Sequence, residues 1–551
     1  MRSLFPLVVL SAVASMFLFW NLGGRYLWQD EAACALMAER MMESGKPLAY
    51  DGTNLITMDE FRPDRTPDQI QRHTGGAAEA VEFFRQNGDY KDDTTWIGQP
   101  WGQFVFAGVS MSLFGRGTVP ARLPFVFAGV VTVLVLFSFV RKRLDSPATA
   151  LLAATLLLFN VFWFLHVRQC RYYATATLFL LLTVGAYLRW REGKRFGAPL
   201  FVLTAWIWFH NDFGSPVPVL GVLFLDAIVR DRARWKSVLG TFAVLGATLV
   251  PFVLYYDLGG RLKKAFYTWD ERLLALLWNA NQYQLPLLLT PLIALVIWKA
   301  KERAQGEKRL LWLALAIPFA QYAWMTAVSP MGFYRYIVDC TPLCCLLVAF
   351  LFLRGPELAL GSRARGPVVA SIGSLLALVW LVTPWLSAPI THLIPKERWP
   401  YYNPGTWTRP ELEAYAQHLT DKIKEPNRAT IEYLLPRLRP GDEICVTYED
   451  LPVAFYTEHP VRGGIPGFRL FDPNGRFPRF LVVRPYVNFI YTELFQILIQ
   501  EGEKRGRWTK IDLDSPGVTW GNNPDPNGYD FVWWGKVESP VPVSVYEFIP
   551  N

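Results

Sequence analysis

A succession of apolar blocks constrains this chain more than any other feature. From Leu4 to Ile390 the sequence is cut into apolar runs, most of about 16 to 23 residues, separated by short polar or basic turns; beyond Ile390 the pattern stops. Runs of that length match the roughly 20 helical residues needed to cross a hydrocarbon core about 30 Å thick. Backbone inside lipid must satisfy its own polar groups, so the runs are read as helices. Of the 551 residues, 52% are apolar and 15% aromatic, high for a soluble domain. The expected fold class is a polytopic α-helical membrane protein with a soluble tail.

The blocks divide into about eleven spans: Leu4–Leu22, Val119–Val140, Ala148–Leu165, Ala174–Trp190, Ala198–Phe209, Phe213–Val229, Val238–Tyr256, Leu285–Trp298, Leu310–Ala327, Tyr334–Leu353 and Val368–Ile390. Gly102 to Phe114 is about 13 residues, short for a span and better suited to an interfacial or re-entrant helix. Lys and Arg cluster at alternate turns: Arg141-Lys142-Arg143, Arg189 to Arg195, Arg230 to Lys236, Lys299 to Arg309, and Arg354 with Arg363 and Arg365. Alternation of that kind marks the cytoplasmic side. A cleaved signal peptide ending near Ala12-Val13-Ala14 is the alternative for the first block. The apolar run continues through Phe17, Phe19 and Trp20, which favours an uncleaved span. The expected location is the plasma (inner) membrane, multi-pass, with the N-terminus cytoplasmic and the C-terminal domain extracytoplasmic.

Two expected domains follow: residues 1–394, a membrane domain with a long first external loop (23–117), and residues 395–551, a soluble extracytoplasmic α/β domain. In the tail, β-branched and aromatic runs at Glu443–Tyr448, Arg479–Arg484, Tyr529–Trp534 and Val543–Phe548 alternate with helical candidates at Glu411–Lys424 and Phe489–Lys504, the pattern of an α/β layer. The net charge of +8 sits mostly in the turns between spans, which argues against a nucleic-acid partner. Six cysteines at these positions make no disulfide framework.

Few reactive groups fall on the external side. They are Asp30 and Glu31 just after the first span; His166, Arg168, Arg171, Tyr172 and Tyr173; His210 and Asp212; Lys263 and Lys264; and Arg335 with Tyr336. Ionisable groups near hydrocarbon are costly and usually functional. A carboxylate beside guanidinium groups suits a substrate with an anionic lipid head: arginine binds phosphate bidentately, and a carboxylate accepts a proton from a hydroxyl nucleophile. Each group also has a plainer reading. Asp30 fits a helix N-cap, Arg168 and Arg171 fit interfacial anchors that snorkel, Arg335 fits an ion pair with Asp339 one helical turn on, and His210 fits a satisfied polar residue at a span end.

Several stretches, in order, resemble the GT-C class of polytopic glycosyltransferases that use lipid-phosphate sugars. That class includes the protein O-mannosyltransferases and the bacterial transferase that adds aminoarabinose to lipid A. Trp28-Gln29-Asp30-Glu31-Ala32 resembles their acidic first-loop motif. Gln99-Pro100-Trp101, Leu113-Phe114-Gly115 and Ala121-Arg122-Leu123-Pro124 resemble the next block, and His166 to Tyr173 a second-loop pattern of Arg, Arg and Tyr. Tyr334-Arg335-Tyr336 with Thr341-Pro342-Leu343, and the tail stretch Pro440-Gly441-Asp442 to Phe455-Tyr456-Thr457, complete the set.

The resemblance implies transfer of a sugar from a polyprenyl-phosphate donor to an acceptor hydroxyl (lipid, glycan or protein) on the external face, with inversion. It implies Asp30 as general base, with Glu31 beside it. Arg168, Arg171, Tyr173, Arg335, Tyr336 and Lys263 would form the donor lipid-phosphate set, and His166, His210 and Gln99 are candidates for substrate or metal contact. In the lipid A transferase an acidic residue that helps bind a metal precedes the proline of the second block. Here that place is Gln99, a poor metal ligand, so a divalent cation stays an open question and no other cofactor is called for. A transporter or flippase for lipid-linked substrates, and a non-catalytic membrane assembly protein, are the competing classes. Transporters favour repeated halves and midplane sites, and neither is visible in this sequence.

Overall fold

The computed structural model describes residues 5–57, 90–261, 268–299, 305–329, 332–360, 367–391, 393, 411–420, 425–464, 477–484, 492–516 and 541–551. The chain forms two compact units interleaved along the sequence. One takes Met1–Trp20 and Phe125–Leu419, the other Asn21–Pro124, Thr420–Asn523 and Val532–Asn551. A single cut after residue 394 therefore does not separate them.

The first unit is helical. Among the described residues four helices are long and apolar enough to cross a membrane, Thr118–Leu144, Arg232–Tyr255, Gly306–Val328 and Val338–Pro356, and two bent pairs bring the number to six. Phe5–Phe19, Gly197–Phe209 and Ala370–Val382 are shorter apolar helices. The stretch read as one span from Ala148 to Leu165 is a bent pair, Pro147–Leu158 and Val161–Val167, turned by 67°. Its cause is local. Ser146 and Pro147 start the first helix, Ser146 Oγ accepting the Thr149 N–H at 3.3 Å. Asn160 restarts the chain as a new N-cap, its Oδ1 accepting the Trp163 N–H at 3.0 Å. Likewise Leu285–Trp298 is the second limb of a pair beginning at Trp269 and bent by 80°.

Polar groups join these helices. Tyr322 donates to Gln284 Oε1 at 2.7 Å, Gln284 Nε2 to Thr341 Oγ1 at 3.0 Å, and Asn160 Nδ2 to the Tyr283 carbonyl at 2.5 Å. Such interhelical bonds stand in for hydrophobic association, which lipid does not drive.

The second unit carries a five-stranded sheet. Its strands are β1 (Ile444–Val446), β2 (Val461–Gly463), β3 (Phe480–Val483), β4 (Gly506–Pro516) and β5 (Pro542–Pro550), in the order β2-β1-β3-β5-β4. β2, β1 and β3 are parallel, and β5 pairs antiparallel with both β3 and β4. Helix Asp450–Thr457 makes the crossover that parallel strands β1 and β2 require. The predicted strands at 443–448, 479–484 and 543–548 appear; Tyr529–Trp534 lies outside the described residues. β2 and β4 add to the prediction.

Helices Gln29–Ser44, Gly102–Phe114, Pro426–Leu434 and Thr492–Arg505 also belong to this unit. Gln29–Ser44 ends at Gly45, whose φ of 80° suits a residue without Cβ and whose N–H reaches the Met41 carbonyl at 2.9 Å. Gly102–Phe114 packs beside it. The Arg40 guanidinium then gathers the chain that follows, donating to the carbonyls of Leu48, Ala49 and Asn54 and to Asp51.

Candidate functional site

In the second unit the acidic pair opens helix Gln29–Ser44, with Trp28 at the N-cap position. Asp30 therefore sits in the first turn rather than at the cap. The two carboxylates have different fates. Glu31 is 1% exposed and takes both arms of Arg122, Nε at 2.7 Å and Nη2 at 2.6 Å, besides the Trp28 N–H at 3.4 Å. Arg122 spends its other N–H groups on the carbonyls of Leu22 and Arg25, both at 2.9 Å, and Tyr26 at 3.2 Å. A buried ion pair is sustainable only with such complete hydrogen bonding. Asp30, in contrast, stays partly exposed.

The chain entering this helix is held by residues some 400 positions away. The Tyr26 N–H donates to Glu425 at 2.8 Å and the Leu27 N–H to the Tyr456 hydroxyl at 3.0 Å. Gln29 Nε2 donates to Asp450 Oδ1 at 2.8 Å, and the Tyr26 and Tyr456 rings stack at 4.2 Å. Burial pushes the Tyr456 phenol well up, and its hydroxyl shares a 2.6 Å hydrogen bond with the Thr118 hydroxyl. Arg122, Gln29, Tyr456 and Asp450 were not singled out from sequence. Arg122 and Tyr456 do lie in motif blocks noted there, but nothing in the spacing says that either touches the acidic pair.

The first unit holds most of the other predicted residues. His166 is buried, its Nδ1 2.7 Å from the Phe162 carbonyl and its ring 5.1 Å from Tyr173 and 5.4 Å from Tyr334. Arg168 is 5% exposed and donates to the Trp20 carbonyl at 2.5 Å, with its guanidinium 4.8 Å from the Phe164 ring. Arg171 is 4% exposed beside Tyr172 and Tyr173, at 5.7 and 6.0 Å. Both arginines are thus packed inside the unit and are not lipid-facing anchors.

Arg335 lies over Phe333 at 4.4 Å and near Tyr336 at 5.6 Å. Its expected ion pair with Asp339 does not form. Residues 334–336 and 338–340 are two separate 3-10 turns instead of one α-helical turn, and Asp339 accepts the Gln321 side-chain amide. The His166 ring meets Tyr334, and Gln321 Nε2 donates to Ser215 Oγ at 3.0 Å and to the Tyr336 carbonyl at 3.2 Å, so this unit draws the loop at 166–173, the turn at 212–215 and the segment at 333–339 together. Lys263 and Lys264 lie outside the described residues.

Gln99 and His210 are the other two candidates for substrate or metal contact. Gln99 belongs to the second unit, and its Oε1 accepts from Gln103 Nε2 at 3.2 Å. His210 belongs to the first and packs between Trp206 at 4.1 Å and Phe252 at 4.4 Å. Among the described residues no group of three or more His, Cys, Asp or Glu side chains converges.

Residues 99–256 match the family described as dolichyl-phosphate-mannose-protein mannosyltransferase. The undecaprenyl phosphate-α-4-amino-4-deoxy-L-arabinose arabinosyl transferase of Edwardsiella ictaluri (strain 93-146) is 26% identical over 305 residues, 50% of this chain and 53% of that protein. The match thus spans about half the length of that curated relative. ArnT from Cupriavidus metallidurans, bound to undecaprenyl phosphate, has a similar fold: TM-score 0.52, 15% identity, 99% of this chain and 98% of that one. Its apo structure gives TM-score 0.50 at 15% identity, with 90% and 95% covered. These matches are to kinds of protein that the ordered motifs resemble.

Proposed function

We propose that this protein is an integral-membrane, inverting glycosyltransferase that moves a sugar from a polyprenyl-phosphate donor to an acceptor hydroxyl. In this reading it crosses the inner membrane about eleven times, carries residues 395–551 on the external face and works there. The observation that carries the proposal is the division of labour in the acidic pair. Glu31 is committed to Arg122, and that lock fixes the first turn from which the partly exposed Asp30 projects. Glu31 is then a positioning residue and Asp30 the general base.

The chemistry follows from those roles. The acceptor oxygen attacks the anomeric carbon as Asp30 takes its proton, and the bond from that carbon to the phosphate oxygen breaks. Charge grows on the departing lipid phosphate. Arg168, Arg171 and Arg335 are the cations offered to it, with Tyr173, Tyr336 and Lys263 in the same set. Preorganised guanidinium groups stabilise developing charge without reorganising at the moment of reaction. The donor class is supported by the undecaprenyl phosphate held by a protein of this fold and by the description of the curated relative.

Asp30→Asn tests the assignment. With a polyprenyl-phosphate sugar, the variant should bind donor as the wild type does and lose about 10²–10⁴-fold in turnover, the usual worth of a general base. Turnover near wild type would remove Asp30 from the mechanism. Arg168→Ala should instead weaken donor binding; unchanged affinity would return that residue to a packing role.

A further inference from the structure

A cavity of about 400 Å³ lies in the first unit, at the turn between helices Tyr173–Arg191 and Gly197–Phe209 and the start of helix Trp235–Tyr255. Its polar lining is Arg191, Lys194, Arg234 and Ser237, and its apolar lining includes Trp190 and Phe196. The size falls within the roughly 300–1,000 Å³ typical of small-molecule sites.

Its charge is one-sided. Asp231 accepts Arg191 Nε at 2.8 Å and Arg309 Nη2 at 3.0 Å, Asp226 takes Arg309 and Arg230, and Glu192 takes Arg143. These carboxylates are consumed by other arginines. Among the described residues no carboxylate pairs with Lys194 or Arg234, and both are exposed. Two helices also begin here, at Gly197 and Trp235, and the positive ends of their dipoles add to the field.

The surface running from the cavity is apolar. Leu200 and Leu203 on one helix, and Leu239, Val244 and Val250 on the other, are 39% to 55% exposed. The helix containing Leu239 is one of those long and apolar enough to cross a membrane.

We infer that this cavity binds the phosphodiester headgroup of an anionic phospholipid, whose acyl chains lie along helices Gly197–Phe209 and Trp235–Tyr255. Lys194, Arg234 and the Ser237 hydroxyl hold the phosphate, and Trp190 and Phe196 flank the glycerol. This goes beyond the transfer reaction and depends only on the chain's being a membrane protein; its readout is binding, so it stands or falls apart from activity.

The test titrates purified full-length protein in neutral detergent with phosphatidylglycerol, phosphatidylcholine or inorganic phosphate, following the bound ligand by native mass spectrometry. Phosphatidylglycerol should bind and phosphatidylcholine should not compete. At about a factor of five per basic residue, Lys194→Gln with Arg234→Gln should weaken binding about 30-fold. Ser237→Phe, which fills the cavity without removing charge, should also abolish it, while Lys142→Gln, which does not line the cavity, should leave it intact. Equal affinity for the two lipids, an unaltered double variant, or equal loss in Lys142→Gln would overturn the site. Saturation by inorganic phosphate as tight as by phosphatidylglycerol would overturn the lipid as its ligand.

Discussion

At the scale of single residues, adjacent side chains of the same charge do opposite things here. Glu31 is buried and bidentate to Arg122; Asp30 is not enclosed in that way. Arg122→Met would leave Glu31 a buried charge without its counter-ion, a change expected to cost about 3–5 kcal/mol, whereas Glu31→Gln with Arg122→Met removes both charges and should cost much less. Chemical unfolding of the four members of that cycle measures the difference, and additive losses would show that the pair is not coupled. The acidic pair was legible in the sequence because two carboxylates beside an apolar span are conspicuous. The partner was not, since Glu31 and Arg122 are 91 positions apart and nothing between them carries a register to reveal the contact. Arg335 failed in the other direction: its four-residue spacing from Asp339 promises a contact only if the backbone is α-helical, and there it turns as 3-10.

At the scale of elements, the departures from the predicted pattern come from small polar residues inside apolar runs. Asn160 caps Trp163 with its carbonyl and reaches Tyr283 with its amide, breaking a run that hydropathy alone reads as one span. Asn160→Ala should cost about 0.5–2 kcal/mol for the cap, read as a lowered unfolding temperature; an unchanged one would place the bend in the surrounding packing instead. The tail strands β1, β3 and β5 were readable as β-branched runs. β2 is three residues long, and β4 carries Arg507, Lys510, Asp512 and Asp514, charge that suits an edge strand but hides it from a hydropathy reading.

In the first loop, Lys46 holds the Asp93 carboxyl down from its ordinary 3.8 to about 2. A depressed folded-state value means that this contribution is present above pH 3.8 and fades as pH falls through about 2. The pair is exposed, so its worth is small. Lys46→Gln should move the Asp93 titration back up, measurable by carboxyl NMR, with no more than a slight change in unfolding temperature at neutral pH. A midpoint that stays near 2 would assign the depression to Thr95 instead.

At the scale of the whole molecule, the sequence presents a membrane segment followed by a tail, but the contacts join Asn21–Pro124 to the tail as one unit. Hydropathy could not reveal this, because the joining bonds run through single side chains, Glu425, Asp450 and Tyr456, rather than through an apolar run. Removing residues 420–551 deletes all three. The amides of Tyr26 and Leu27 should then lose their protection from hydrogen exchange, and transfer should fall even though Asp30 is still present. Protection preserved in the truncated protein would mean that the Arg122 lock alone suffices.

That joining also has a timetable. Tyr26 and its partner Glu425 are 399 residues apart, so at the roughly 5–20 residues per second of ribosomal synthesis the first must wait about 20–80 s for the second. Arg122 emerges far sooner, 91 residues after Glu31. The nascent chain can therefore close its inner clasp early and hold the acidic turn in shape through the long interval before its outer supports are made. A slowed or stalled ribosome would lengthen that interval without changing any contact in the finished protein.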